Sequence, residues 1–355
     1  MNLLFIGYMH GYGGAEKMLI KLANQMSIRG HNITLISLVS NNIVYDMSSN
    51  INYIYIKDEG RTKLNILLNR FIRLKHYIKQ TNPDLIINFW LQPTYLCALM
   101  GRKISKRTIY SERGDPMDKE YDGILKWIRK FTFYKIKGII FQSNGARNCF
   151  GEYVKKKSCI IHNPVFVEQK YLDVKSKREK RIVTVGRLHE QKNQVLLIKA
   201  FSMLPSNMND FILEIYGDGD LKKYLSDYIK EKGLENRVFL KGTYSNIHEK
   251  IVDASLFVLC SNYEGLPNAL IEAMTLGIPC ISTDCKPGGA REIINDGVNG
   301  YIVERNNVYE LTNKIVYLLN HQDLANRFST EAKRISVDFN PKIIFDKWEN
   351  YFKRT

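Results

Sequence analysis

Short apolar runs rich in β-branched residues alternate along the chain with longer segments whose apolar residues recur every three or four positions. The first half reads LLFIG, a helical segment over 14–30, NITLISLV, a basic helix near 64–80, LIINFW, TIYSE, GIIFQS and CIIHNPV. After a Lys-rich stretch at 170–181 the rhythm restarts with RIVTVG, a helix over 191–203, FILEIYG, a helix over 220–232, VFLKG, LFVLC, a helix over 266–276 and PCIST. Strands that alternate with helices predict βαβ units and mainly parallel sheets, and the restart predicts two Rossmann-like α/β domains. The polar composition of 168–181 marks the linker between them. Past Pro341, IIFDKWENYF is an apolar-striped helix whose docking place the pattern leaves open.

The chain has 355 residues, 45% of them apolar, which suffices for two cores. Cysteines 97, 149, 159, 260, 280 and 285 form no CxxC pair and several sit in apolar runs, so they read as reduced thiols of a cytoplasmic protein. MNLLFIGYMHG lacks a basic leader and reads as a first strand rather than a signal peptide. The longest apolar stretch, LIINFWLQPTYLCALM, is broken by Asn88, Gln92 and Pro93, so no window spans a membrane. Net charge is +16 and one-sided: residues 1–165 carry 25 Lys and Arg against 11 Asp and Glu, whereas 166–334 carry 23 against 22. The first half therefore calls for an anionic partner, nucleic acid or acidic lipid. No helix-turn-helix, RRM or zinc pattern appears, which sets nucleic acid aside.

Paired open sheets bind ligands at the carboxyl ends of their strands, in the cleft between domains. GYGGAEK, residues 11–17, follows the first strand and opens a helix, offering bare amides and a positive helix end to an anion. It fails as a dinucleotide fingerprint, because Glu16 stands where GxGxxG needs its last glycine. GRLHEQKN, from Gly186 to Asn193, places Arg187 and Lys192 around a turn, where a fork and a point charge converge on a diphosphate. NYEGLPNALIEAMTLGIP, residues 262–279, brackets a helix between Pro267 and Gly277, with Glu264 at its mouth and Glu272 about two turns deeper. Carboxylates beside a phosphate site repel the phosphate unless they bind hydroxyls, so a polyhydroxylated diphosphate, a nucleotide sugar, fits this set.

Glu264 and Glu272 match an E-x7-E signature. Together with GGAE, GRLHEQKN and REIINDGVNGYIV at 291–303, they make the chain similar, over essentially its whole length, to retaining glycosyltransferases of family 4 with the GT-B fold. The resemblance implies that Glu264 binds sugar hydroxyls, Glu272 grips the ribose and Arg187 with Lys192 holds the diphosphate of a UDP-sugar, with Gly13 and Gly14 approaching it from the other domain. It further implies backbone contacts from Gly265, Leu266, Pro267 and Asn268 to phosphate, and places Lys241 and Gly242 near the base. By the same resemblance the C-terminal helix returns to the first domain, giving domains of 1–165 plus about 335–355, and 166–334. Relatives carry a histidine where SERGDP places Arg113, so Arg113 either contacts donor or acceptor oxygens or pairs with Glu112 or Asp115. No covalent nucleophile is marked, and retention is best served by front-face attack.

Asp218-Gly219-Asp220 imitates a metal-binding DxD but reads as a turn and cap. The seven histidines show no ligand spacing, so neither metal nor cofactor is expected; His10, beside the glycine loop, is a candidate acceptor contact. KLNILLNRFIRLKHYIKQ at 63–80 and KWIRKFTFYKIK at 126–137 mix basic and apolar residues, among them Arg70, Arg73, Lys126 and Arg129, as an anionic membrane surface requires. With the family resemblance this points to a polyprenyl-diphosphate-linked saccharide as acceptor, met peripherally on the inner face of the cell membrane. A GT-B nucleotide-sugar epimerase and a non-catalytic lipid-surface protein are the competing readings.

Overall fold

The computed structural model describes every residue except 12, 115, 118–120 and 173–177. Tyr12 of the glycine turn, Asp115 and the middle of the expected linker thus lie outside the described residues. The chain divides into two compact units, one of residues 1–142, 147–162 and 345–355, the other of 143–146 and 163–344. The sequence placed the crossings at 165/166 and near 335.

The first unit runs β1 (Asn2–Met9), α1 (Gly14–Ile28), β2 (Asn32–Asn41), β3 (Asn52–Ile56), α2 (Lys63–Thr81), β4 (Leu85–Asn88), α3 (Leu91–Leu99) and α4 (Arg102–Ser105). It continues through β5 (Thr108–Ser111), α5 (Ile124–Lys135), β6 (Gly138–Phe141), α7 (Glu152–Lys156) and β7 (Ser158–Ile160), with α6 (Asn144–Asn148) between β6 and α7 divided between the two units. Its seven strands pair in the order β3-β2-β1-β4-β5-β6-β7, all parallel. The central runs, such as Leu3 to Ile6 and Leu85 to Ile87, are buried, as a parallel sheet covered on both faces demands.

The second unit runs α8 (Gln169–Leu172), β8 (Glu179–Val185), α9 (Gln194–Ser202), β9 (Ile212–Tyr216), α10 (Lys222–Glu231), β10 (Val238–Gly242), α11 (Ile247–Ile251) and β11 (Ala254–Leu259). Then come α12 (Asn268–Thr275), β12 (Cys280–Thr283), β13 (Tyr301–Val303), α13 (Val308–Asn320), α14 (Gln322–Lys333) and α15 (Ile335–Asp338), before α16 (Pro341–Arg354). Six parallel strands order as β10-β9-β8-β11-β12-β13. Apolar clusters centred on Phe201 and on Phe257 fill the helix layers of this unit. α14 and α15 pack on α12, so the chain is committed to this unit until past Phe339. Trp348 and Phe352 of α16 are fully buried in the first unit, where Arg29 pairs with Asp346 and Glu349.

Several elements escaped the hydrophobic pattern, among them β3, α3, β13, α13 and α14. The edge strand β3, NYIYI, is only partly buried from Tyr53 to Tyr55 and fully buried only at Ile56, so it shows no two-residue alternation. In α3, Pro93 and Gln92 looked like interruptions, but Pro93 falls in the first turn, where a missing N–H costs nothing. Among the described residues no helix is long and apolar enough to cross a membrane.

Candidate functional site

The strand order of each sheet reverses direction at one point, between β1 and β4 in the first unit and between β8 and β11 in the second. Loops leaving the carboxyl ends of such strands diverge and open a crevice.

In the second unit the β8 loop carries Gly186, Arg187 and Lys192, and the β11 loop carries Ser261 to Pro267. The two loops are laced together: Asn262 N donates to Gln191 O at 2.8 Å, Gln191 Nε2 to Tyr263 O at 2.9 Å, and Asn262 Nδ2 to Glu190 O at 3.0 Å. Lys192 sits in a 3-10 turn followed by Asn193 in the left-handed region, so the helix expected from 191 begins only at Gln194. Its stem crosses Gly186, where a Cβ would come within 3.2 Å of it, and its Nζ reaches Glu264 Oε1 at 2.5 Å. Ser261 Oγ donates to the same oxygen at 2.7 Å. The buried Glu264 is thus bound to a cation and a hydroxyl before any ligand arrives. Arg187 is exposed and forms no ion pair with a described residue.

Pro267 caps α12 with Asn268 as its first residue, and Asn163 Nδ2 donates to Asn268 Oδ1 at 3.0 Å. Gly265, Leu266 and Pro267 are buried, and a side chain at Gly289 would strike Gly265 O at 2.6 Å, so backbone packs on backbone beneath the helix entrance. Leu270 N and Ile271 N already donate to Pro267 O at 3.1 and 3.2 Å, so of the first turn of α12 only the amides of Asn268 and Ala269 lack a partner inside the helix. Glu272 does not join Glu264: its Oε2 lies 3.5 Å from His248 Nε2 of α11, and Tyr171 stands edge-on to that histidine at 6.3 Å. Sequence reasoning gave His248 no role, because nothing in a lone histidine 24 residues before Glu272 signals their contact. Lys241 pairs with Glu214 Oε1 at 3.4 Å, and Gly242 takes a φ of +74°. Burial pushes the Glu214 carboxyl up, but hydrogen bonds from Tyr216 and Arg181 outweigh it and hold that carboxyl below its ordinary value. Asp218 caps its own loop through Gly219 N at 2.8 Å and pairs with Lys222 at 3.0 Å, as a turn residue does.

The first unit holds a pocket of about 510 Å³ walled by Tyr8, Phe89, Trp90, Tyr95, Tyr121 and Leu125, with Gln92, Glu112 and Arg113 as its polar members. Glu112 is buried and accepts from Arg113 N at 3.1 Å, Tyr110 Oη at 3.1 Å and Gly114 N at 3.3 Å; burial raises its pKa. The Arg113 guanidinium lies 4.4 Å from the centre of the Phe89 ring and 5.4 Å from that of Trp348, and burial lowers its pKa to about 9, against the pull of Glu112. Of the two readings of Arg113, the geometry therefore adds an aromatic seat that neither foresaw.

The glycine loop departs from expectation. Glu16 reaches back from the first turn of α1 and accepts from His10 N at 3.0 Å and Gly11 N at 3.1 Å. Gly11 N, the first amide of the loop, is therefore not bare, because the carboxylate at the third helical position satisfies it together with His10 N. Gly13 caps the helix, Gly14 is open around its α-carbon, and His10 is exposed. The basic helices bring a second correction, since Arg70 and Arg129 are buried. Arg70 binds Asp58 through two nitrogens and Gln92 at 2.8 Å; Arg129 donates to Pro116 O at 2.5 Å and stacks over Tyr121 and Phe150. Sequence pattern treats all helix cations as solvated, whereas partners far along the chain pull these two inside.

Comparison with known proteins fits this architecture. Residues 12–169 match the model described as Glycosyltransferase Family 4, and residues 169–335 the model described as Glycosyl transferases group 1. An enzyme of Campylobacter jejuni named N-acetylgalactosamine-N,N'-diacetylbacillosaminyl-diphospho-undecaprenol 4-alpha-N-acetylgalactosaminyltransferase is 29% identical over 94% of this chain and 94% of its own. The amylovoran biosynthesis glycosyltransferase AmsD of Erwinia amylovora is 26% identical over 98% of both chains. Anabaena HepE, solved in complex with UDP, superposes with a TM-score of 0.83 over the full length of both chains at 18% identity. The chain belongs to glycosyltransferase family 4, and it is a glycosyltransferase with the GT-B fold.

Proposed function

We propose that this protein transfers a hexosyl or N-acetylhexosaminyl group from a UDP-sugar to a polyprenyl-diphosphate-linked saccharide at the inner face of the cell membrane, with retention of anomeric configuration, in the assembly of a cell-surface polysaccharide or glycan. The observation that carries this reading is the convergence of Arg187, the Lys192–Glu264 pair and the entrance of α12 on the two loops at the switch point of the second sheet. Relatives named for undecaprenyl-diphosphate saccharides and for amylovoran, and a fold neighbour solved with UDP, support the acceptor class and the donor.

In this reading Arg187 and Lys192 neutralise the departing diphosphate, Glu264 accepts hydrogen bonds from sugar hydroxyls, Glu272 holds the ribose, and the backbone from Gly265 to Asn268 meets phosphate oxygens. Lys241 and Gly242 flank the base. The bond from the acceptor oxygen to the anomeric carbon forms on the face from which the diphosphate leaves. The bonding pair of the broken C–O bond goes to the diphosphate oxygen, which takes the acceptor's hydroxyl proton. No side-chain nucleophile is consumed and no metal is needed, because fixed cations and helix amides stabilise the leaving charge, each such contact contributing on the order of 3 kcal/mol.

The deciding experiment offers a panel of nucleotide sugars with a polyprenyl-diphosphate saccharide and scores the lipid product by mass and its new linkage by NMR. A single product whose new linkage keeps the anomeric configuration of the donor supports the reading, and an inverted linkage would overturn it. Interconversion of the free donor without acceptor would replace it with an epimerase.

A further inference from the structure

We infer that α5 is the element that seats the protein on an anionic bilayer, its aromatic ridge lying among the headgroups beside the pocket of the first unit. The inference rests on the proposed function for why a bilayer is the partner, and on the surface of α5 for where it touches.

α5 is turned inside out relative to an ordinary surface helix. Its inward face presents Arg129, Thr132 and Phe133, all buried, whereas Ile124, Trp127, Phe131 and Tyr134 are 75%, 67%, 43% and 61% exposed. At 3.6 residues per turn these four fall within an arc of about 80° on the outward side. A soluble helix places charge there. Exposed Lys126, Lys130 and Lys135 flank the arc, Lys130 lying 5.5 Å from the Trp127 ring centre and Lys135 5.5 Å from that of Phe131. The helix contains no Asp or Glu. Tyr134 stacks on exposed Tyr153 of α7 at 5.4 Å, which extends the ridge.

Aromatic residues with lysines beside them, and no acid, match the layer between acyl chains and acidic headgroups, where rings sit in the boundary and ammonium groups stay wet. A protein partner is less well matched, because lysine is depleted from the cores of protein interfaces. The 25 Lys and Arg against 11 Asp and Glu in residues 1–165 supply long-range attraction of the same sign.

Topology gives α5 a companion. In the order β3-β2-β1-β4-β5-β6-β7, the crossovers from β3 to β4 through α2 and from β5 to β6 through α5 run in the same direction. Right-handed crossovers therefore place α2 and α5 on one face of the sheet. α2 also leaves Leu64, Leu68 and Ile72 exposed, one above the other at four-residue spacing. Leu125 is at once an exposed residue of α5 and part of the pocket wall, so a bilayer on α5 meets the rim of that pocket.

The test uses the full chain with vesicles of phosphatidylglycerol or of phosphatidylcholine, without donor or acceptor, so that it is independent of whether sugar is transferred. Cosedimentation and quenching of tryptophan by brominated lipid are read together. Wild type should bind phosphatidylglycerol at least about tenfold better than phosphatidylcholine and be quenched, while Trp127→Phe should bind equally with most of the quenching lost. Lys126→Gln/Lys130→Gln/Lys135→Gln, and separately Trp127→Ser/Phe131→Ser/Tyr134→Ser, should each weaken binding about tenfold with an unchanged thermal midpoint. Unchanged binding in both triple variants would overturn the inference, as would quenching that survives Trp127→Phe. Concentration-dependent dimerisation abolished by the serine variant, with no vesicle binding in wild type, would assign the ridge to a second copy of the chain and overturn it equally.

Discussion

The two units share an architecture and treat charge in opposite ways. In the second unit the ionic groups of the candidate site are already partnered: Lys192 with Glu264, Lys241 with Glu214, and Arg181 with Glu214 and Asp253, leaving Arg187 out in solvent. In the first unit, Arg70, Arg113 and Arg129 lie buried against carboxylates, carbonyls and rings, and the aromatic face of α5 is turned outward. Partnered ions form a preorganised site, since little reorganisation remains when a charged ligand arrives. Outward aromatic residues form a surface that gains by leaving water. Balanced charge goes with the first, and a surplus of lysines with the second.

The sharpest break of this comparison is at Arg187 and Lys192. Alanine at either should lower turnover about 100-fold or more. Only Lys192→Ala should also destabilise the fold, by about 3 kcal/mol or more, because it strands the buried Glu264. Turnover near wild type in both variants would remove them from the diphosphate site, and equal melting temperatures would show that the Lys192–Glu264 pair contributes nothing to the fold.

A smaller effect separates two neighbours on α5. Arg129→Gln removes a buried cation from Pro116 O and two rings and should cost about 2 kcal/mol, whereas exposed Lys130→Gln should stay within about 0.5 kcal/mol. Equal melting temperatures for the two would mean that Arg129 contributes no more than a solvated lysine.

Smaller again is the acid response of α16. Hydrogen bonds from Lys353 and Arg29 hold the Glu349 carboxyl down at about 2, below the roughly 4.3 of an unfolded glutamate. Its contribution is therefore present above pH of about 4.3 and is lost as pH falls towards 2. Melts followed by the buried Trp348 should show that loss in wild type and a flatter profile between these limits in Glu349→Gln. The same slope in both would sever α16 from this ionic contact. No effect at all is expected from EDTA, given the engagement of Asp218 with its own loop; activity abolished by EDTA and restored by Mn²⁺ would return Asp218 and Asp220 to the site.

How far the site was legible varies residue by residue. Gly186, Arg187, Lys192, Glu264 and Pro267 stand just after strands or just before a helix, so their neighbourhood follows from local pattern alone. His248 and Glu272 meet across two helices, and Arg113 meets Trp348 from the far end of the chain, so no local signal could announce either contact. The Gly11 amide of the glycine loop looked open because a turn's sequence does not show that a carboxylate five residues on will fold back over it.

Periodicity by itself determined two parallel sheets with helices on them, because apolar runs that must be covered on both faces, joined by amphipathic segments, have few other ways to pack. Charge counts determined which half is basic. Only the tertiary structure decided which basic residues face water, since burial depends on partners distant in sequence: Arg70 finds Asp58 and Arg129 finds Pro116 and two rings, while Trp127 and Tyr134, apolar by composition, are left outside. A helix in isolation has a hydrophobic stripe but no inside; the sheet it lands on chooses the face, and on α5 it chose the one bearing Phe133 and Arg129.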